Sequence, residues 1–413
     1  MNTNLSKVEA SFFNTSDIEL QKTKIPYIKV SNYPDLGLIT SLRFLEWAFE
    51  NPKGVISLPT GKTPEYFIKW THYILNNWDS DKVISIRSNY GLSSKNKPDL
   101  SKLHFIQIDE FYPLDPSQHN SFSKYVKKYY LEGFNISEEK ALLISADDIP
   151  IYNNQHWNEI FPDGLIDLGL RHADPSTDLQ KKQQESIYLI DQWCNQYEEK
   201  IRGLGGIGFF LGGIGPDGHI AFNIRGSDHN STTRLMETNF ETQAAAATDL
   251  GGIEISKNRL VITIGLGTIT YNEQATAIII AAGEAKAPIV KMSLETGQDV
   301  KYPATALQKL KNSRFYITEG ASKTLRDTQD HYWQDVPWDI EKKQNALLYL
   351  AKKKNIYGKK LSYEDLVNDP ICKNIPGLND QTVDEIIQSI DSKVQRGIKT
   401  DTDQVFYHTG PHH

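Results

Sequence analysis

The chain has few cysteines, no long apolar run and no excess of basic charge. Its two cysteines, Cys194 and Cys372, lie far apart. That excludes a disulfide framework and a thiolate-based zinc site. No apolar stretch approaches the roughly 20 residues needed to span a bilayer. The densest, Ala275–Ala282, is strand-sized and interrupted by a threonine. Lysine and arginine number 45 against 52 aspartates and glutamates, a formal charge of −7. A chain that mainly binds nucleic acid would show a basic face or stripe. The N-terminus lacks the basic start and apolar middle of a signal peptide. A soluble, cytoplasmic protein with no nucleic-acid or membrane partner is expected. What is present is ample: 413 residues, 39% hydrophobic and 10% aromatic. That permits a substantial core and, at roughly 100–200 residues per domain, more than one domain.

From about residue 37 to 322, short apolar runs alternate with helical stretches. The runs are Gly54–Leu58, Leu103–Ile108, Ile207–Leu211, Leu260–Gly265, Ala275–Ala282 and Ser313–Thr318. Continuous apolar runs suit parallel strands covered on both faces. Helices over Thr63–Leu75 and Asp191–Arg202 suit crossover connections. The fold class is α/β: a doubly wound, mostly parallel Rossmann-like sheet. Asn76–Ser101 and Asp147–Lys182 are polar and turn-rich, and read as insertions. Beyond about Asp330 no β run remains, and Glu341–Lys354 and Asp380–Arg396 read as helices. The expected division is an N-terminal extension (1–36), a catalytic domain (37–329) and a helical C-terminal extension (330–413).

Open α/β sheets bind ligands at the carboxyl ends of their strands. After GVISL comes Pro59-Thr60-Gly61-Lys62-Thr63-Pro64. Gly61 permits close backbone approach, Thr63 can cap a helix, and Pro64 suits its first position. Such a helix start offers N–H groups to a phosphate. It is not a Walker A loop, because Ile56 stands where the first glycine belongs. After LHFIQI come Asp109 and Glu110, which extended chain points to opposite faces. One can enter a cleft as a proton-abstracting base; taken alone, the pair also reads as a helix cap. After IGFFL comes Gly212-Gly213-Ile214-Gly215-Pro216-Asp217-Gly218-His219-Ile220-Ala221-Phe222-Asn223. Gly213, Gly215 and Gly218 match G-x-G-x-x-G, but a proline and a histidine inside the loop do not suit a pyrophosphate. A glycine-rich wall of a sugar-phosphate site is the better reading. Asp217 beside His219 would fix the imidazole tautomer and raise its basicity. Arg234 and Lys286 are cations able to neutralise a phosphate.

In this order these segments resemble the glucosamine-6-phosphate deaminase family. The matching segments are Leu58–Pro64, Asp109-Glu110-Phe111, Gly213–Asn223, Arg234 and Lys286, with His119–Phe122 and Val261–Thr268 in support. The resemblance implies that Thr60, Gly61, Thr63, Arg234 and Lys286 hold a 6-phosphate. Lys62, Glu110, Gly212 and Gly213 complete the implied substrate contacts. His219, oriented by Asp217, would open the sugar ring, and Asp109 would move the C2 proton. The substrate would be a small sugar phosphate, with no metal and no organic cofactor, and a homo-oligomer is expected.

Two departures stand out. The family continues Phe-Asn-Glu-Pro, whereas this chain reads Phe222-Asn223-Ile224-Arg225, so the acid that assists the histidine is missing. Phe111 replaces the family tyrosine. A 6-phosphogluconolactonase shares the Asp-Gly-His block and is the alternative enzyme; Phe111 and Ile220-Ala221-Phe222 side with the deaminase. A sugar-phosphate sensor without turnover is the non-enzymatic alternative. Finally, Pro411-His412-His413 has two readings: a fragment of a purification tag, or a resemblance to the opening of the Pro-His-x-Asp-Asp motif of LmbE-like deacetylases, which would imply a fused deacetylase beyond His413.

Overall fold

The computed structural model describes residues 5–12, 21–94, 96–240, 243 and 259–392. The Pro411-His412-His413 motif and the end of the expected 380–396 helix lie outside them. The chain falls into two compact units, Met1–Thr328 and Gln329–His413. Among the described residues no helix is long and apolar enough to cross a membrane.

Among its described residues the first unit has ten strands: β1 (Tyr27–Val30), β2 (Val55–Ser57), β3 (His104–Ile106), β4 (Asp109–Tyr112), β5 (Ala141–Leu142), β6 (Phe209–Gly213), β7 (Arg234–Met236), β8 (Leu260–Thr263), β9 (Thr276–Ala281) and β10 (Asn312–Thr318). Seven form one sheet in the order β1-β10-β9-β6-β2-β3-β5, every pairing parallel. Strand order reverses between β2 and β6, the position where an open α/β sheet leaves a crevice for a ligand. The alternation of a strand explains the two-faced core. Ile56, Phe105, Phe209, Leu211, Ile278 and Tyr316 pack to one side, against Phe44 and Trp47 of the helix Tyr33–Glu50. Val55, Ile106, Phe210, Ile279 and Phe315 pack to the other, against Ile187, Ile190 and Ile201 of the helix Asp178–Gly203. Truncating one of the buried rings, such as Phe209, would cost about 3–5 kcal/mol.

Three features differ from the sequence expectation. The run Leu260–Gly265 supplies β8, which is antiparallel: it pairs β4 through Asp109↔Thr263 and β7 through Arg234↔Thr263 in a separate three-stranded sheet. A buried glutamine breaks β3 from β4. The Gln107 amide donates to Asp109 O (2.8 Å) and accepts from Ile144 N (2.9 Å), in place of a continued ladder. Second, residues 1–36 are not simply an extension. β1 is an edge strand of the main sheet, and the helix Lys7–Phe12 inserts the buried Glu9, which accepts from the Tyr316 hydroxyl (2.8 Å). A four-residue strand beside turn signals carries too little pattern to read. Third, Thr63 does not cap the following helix. Pro64 takes that place without a side-chain cap, and the helix runs Glu65–Asn76.

The second unit is helical as far as it is described. It comprises the helix Ile340–Lys354, the short helix Tyr363–Val367 and a helix over 380–392, around Leu347, Leu350, Leu366, Cys372, Val383 and Ile386. Its capping fits its sequence: Asp339 accepts from Lys342 N, and Ser362 with Asp365 forms a capping box. Both cysteines are buried and free, one in each unit.

Candidate active site

A cavity of about 320 Å³ opens at the carboxyl ends of β2, β3 and β6, with the first residue of β4 at its wall. Thr60 and Thr63 line it from the loop after β2, Asp109 from β4, Gly212, Gly213 and His219 from β6 and the loop beyond, and Lys286 from the turn after β9. Segments remote in sequence thus meet in one place because the parallel strands β2, β3, β6 and β9 end on the same edge, and the chain passes from the end of β3 directly into the start of β4. Lys62 lines an adjoining cavity of about 170 Å³, together with Thr63 and Lys286.

The histidine loop is shaped by its glycines. A Cβ at Gly215 would lie 2.1 Å from the His219 ring, so this position must be bare for the imidazole to sit where it does. His219 Nδ1 lies 2.6 Å from Asp217 Oδ1, a contact that orients the imidazole at the cavity wall. The second oxygen, Oδ2, accepts from the Asn239 amide at 2.5 Å. Burial pushes the Asp217 carboxyl up. Hydrogen bonding and charge from His219, with the Asn239 amide, outweigh that and hold it far below the usual range. Ala221, at the cavity wall, adopts φ +52°, a left-handed conformation that costs a non-glycine residue energy. The fold holds it by burying Asn223, whose amide donates to Ile220 O and Ile264 O.

Asp109 and Glu110 share a strand and have opposite fates. Asp109 lines the cavity, and burial, reinforced by the Glu110 charge, raises its carboxyl well above the usual range. Glu110 faces away. It accepts from Phe122 N (3.1 Å), Ser123 N (2.9 Å) and the Ser121 hydroxyl (2.9 Å), and so anchors the start of the helix Phe122–Val126. Burial raises it to about 7, against those donors. Glu110 is therefore a cap, the alternative reading of the acid pair, and not a lining residue.

Lys286 donates to Ile214 O (2.8 Å), and burial lowers its pKa although Asp217 opposes this. Arg234 stands off the cavity. Its guanidinium donates to Asn223 Oδ1, Thr232 O and Ser227 Oγ, so it braces the loop that carries His219. Gly61 takes φ +83°, which its missing Cβ allows. Phe111, where the family has tyrosine, packs in an aromatic cluster with Phe122 and Phe222. Ile224 is partly exposed and outside the cavity lining, and Arg225 is exposed. Asn239 was missed by sequence reasoning. It lies after β7 in Thr238-Asn239-Phe240, a segment with no motif, and only the fold brings it to Asp217. Among the described residues no three His, Cys, Asp or Glu side chains are grouped as metal ligands would be.

No protein-family model matches the chain. A glucosamine-6-phosphate deaminase from Borreliella afzelii (strain PKo) is 35% identical over 147 residues, 36% of this chain and 54% of that one. The chain spans about half the length of the Borreliella relatives it matches. A glucosamine-6-phosphate deaminase 2 from Xenopus laevis is 32% identical over 225 residues, 54% of this chain and 76% of that one. Among solved structures, a monomeric glucosamine-6-phosphate deaminase of the NagB superfamily superposes with a TM-score of 0.53 at 20% identity, covering 72% of this chain and 99% of the other. That likeness shows the doubly wound fold. With ordered motifs converging on one cavity and relatives of 30–32% identity across three quarters of their length, the chain belongs to the glucosamine-6-phosphate deaminase family.

Proposed function

We propose that the chain converts glucosamine 6-phosphate and water to fructose 6-phosphate and ammonia. The observation that carries this reading is the convergence of Asp109, His219 and Lys286 on one cavity. In this reading His219, held in one tautomer by Asp217, moves a proton between O5 and O1 and opens the ring. Asp109 takes the C2 proton, giving an enolamine, and returns it at C1. Water adds to the iminium at C2, and ammonia leaves. A buried carboxylate with a raised pKa suits proton abstraction near neutral pH. Lys286 and Lys62, with the loop Thr60–Thr63, hold the phosphate; Arg234 braces the histidine loop instead of touching the substrate.

The chemistry is assigned to the first unit, and residues 330–413, helical where they are described, are assigned to a separate appendage. A cytoplasmic location and a homo-oligomer belong to the same reading, although the solved neighbour is described as monomeric; light scattering decides the assembly. The test of the activity is release of ammonia and fructose 6-phosphate by the full chain at millimolar substrate. Substrate binding without ammonia release would replace the deaminase by a sugar-phosphate sensor. That is the reading favoured by the missing acid at Ile224.

A further inference from the structure

The loop Pro59–Thr63 is held from behind. The Tyr130 hydroxyl donates to Pro59 O (2.5 Å), and the Tyr125 hydroxyl donates to Gly61 O (3.0 Å). Both peptides that follow these carbonyls are trans, so each C=O points opposite to the next N–H. Pulling the carbonyls of Pro59 and Gly61 toward the tyrosines therefore turns the N–H groups of Thr60 and Lys62 the other way. Among the described residues no protein group accepts from the N–H of Thr60, Gly61, Lys62 or Thr63. Successive free N–H groups of this kind make an anion cradle.

The two tyrosines reach one loop because of a local irregularity. The helix Phe122–Val126 continues as a π-helix over Lys127–Glu132. In a regular α-helix, residues five apart diverge by about 140°. A π turn, with its i→i+5 hydrogen bonds, brings them back to one face. The start of this helix is fixed by Glu110, the neighbour of Asp109. The loop is thereby referenced to the strand that carries the base. Tyr130 is fully buried and packs on Phe105 of β3, so its hydroxyl has little freedom. Burial raises both phenols, which keeps them protonated donors.

We propose that Tyr125 and Tyr130 are positioning residues that shape the phosphate cradle by fixing the carbonyls of Gly61 and Pro59. The inference rests on reading the Thr60–Thr63 loop as the phosphate subsite. It is tested in the full chain with Tyr125→Phe, Tyr130→Phe, the double variant, and Tyr129→Phe as a neighbouring control. Calorimetry reads the affinity for inorganic phosphate; steady-state kinetics reads KM and kcat for glucosamine 6-phosphate. Each single variant should bind phosphate roughly three- to tenfold more weakly, the double variant more weakly still, and Tyr129→Phe like the wild type. KM should rise with the phosphate dissociation constant while kcat holds, since the lost interaction is made equally in ground and transition states. A double variant that binds phosphate as the wild type does, or one whose kcat falls while KM holds, overturns the proposal. If the double variant does not fold, Tyr125→Phe, at a partly exposed ring, decides alone. A wild-type chain that does not bind phosphate overturns it too. In that case ammonia release from glucosamine 6-phosphate would leave the deaminase reading standing, and its absence would remove both.

Discussion

Strand β4 and the loop Gly212–Asn223 each bring a buried aspartate to the site, and their surroundings push the two carboxyls in opposite directions. Asp109 receives little compensation for lost water and has the Glu110 charge beside it, so it is raised. Asp217 is also buried, yet it has an imidazole on one oxygen and an amide on the other, and ends far below the usual range. Pairs of groups whose environments drive their pKa values apart mark the division of acid–base work. Here the strand keeps a carboxyl able to exchange a proton, and the loop keeps one permanently ionised to hold a histidine.

The largest effect should come from Asp109. Asp109→Asn is expected to lower kcat by about 10²–10⁴-fold and to abolish exchange of the C2 proton with solvent, while substrate binding persists. Retained exchange would show that another group is the base. In the wild type the acidic limb of kcat/KM should lie above the ordinary carboxylate range, with rate rising as pH climbs through the raised Asp109 pKa. Asp217→Asn should cost on the order of 10²-fold, because an amide neither fixes the tautomer nor stabilises an imidazolium. This loss should shrink for a substrate analogue already ring-opened; an equal loss would place His219 outside ring opening. Asn239→Leu should cost roughly tenfold in kcat, the scale of one hydrogen bond to a charged group. An unchanged kcat would mean that His219 alone orients Asp217.

Much of this comparison is legible in the sequence, and the rest is not, for physical reasons. β2, β6, β9 and β10 are visible as apolar runs because both sheet faces are covered. β5 has two residues, and the four of β1 are interrupted by Lys29, so neither shows a continuous apolar run. β8 reads as a parallel strand because antiparallel pairing does not alter an apolar run buried on both sides. At the site, Asp217 and His219 are legible because local spacing joins them. Glu110 and Arg234 lie outside the cavity lining, which is not legible because sequence gives the type of a side chain and not the partner it meets. Asn239 is invisible because its partner lies 22 positions away. The tyrosines behind the Pro59–Thr63 loop are hidden for the same reason, compounded by a π turn that no residue type announces.

The smallest effect concerns Glu110, and it separates the two neighbours on β4. Its carboxyl is raised from an ordinary 4.5 to about 7, burial outweighing four donated hydrogen bonds. The folded state thus binds its proton more tightly than the unfolded state. The stability from this group is complete below pH about 4.5 and is lost as pH rises toward about 7. Glu110→Gln cannot ionise, so its melting temperature should vary less across that window than that of the wild type. Its overall stability should fall by about 1 kcal/mol, because the amide nitrogen cannot accept from Ser123 N or the Ser121 hydroxyl. Since Glu110 does not itself line the cavity, KM and kcat should move far less than in Asp109→Asn. A flattened stability profile with near-normal turnover would confirm that one strand carries a base on one face and a cap on the other. An unchanged profile would mean that Glu110 stays ionised throughout, in which case its charge, and not burial alone, sets the pKa of Asp109.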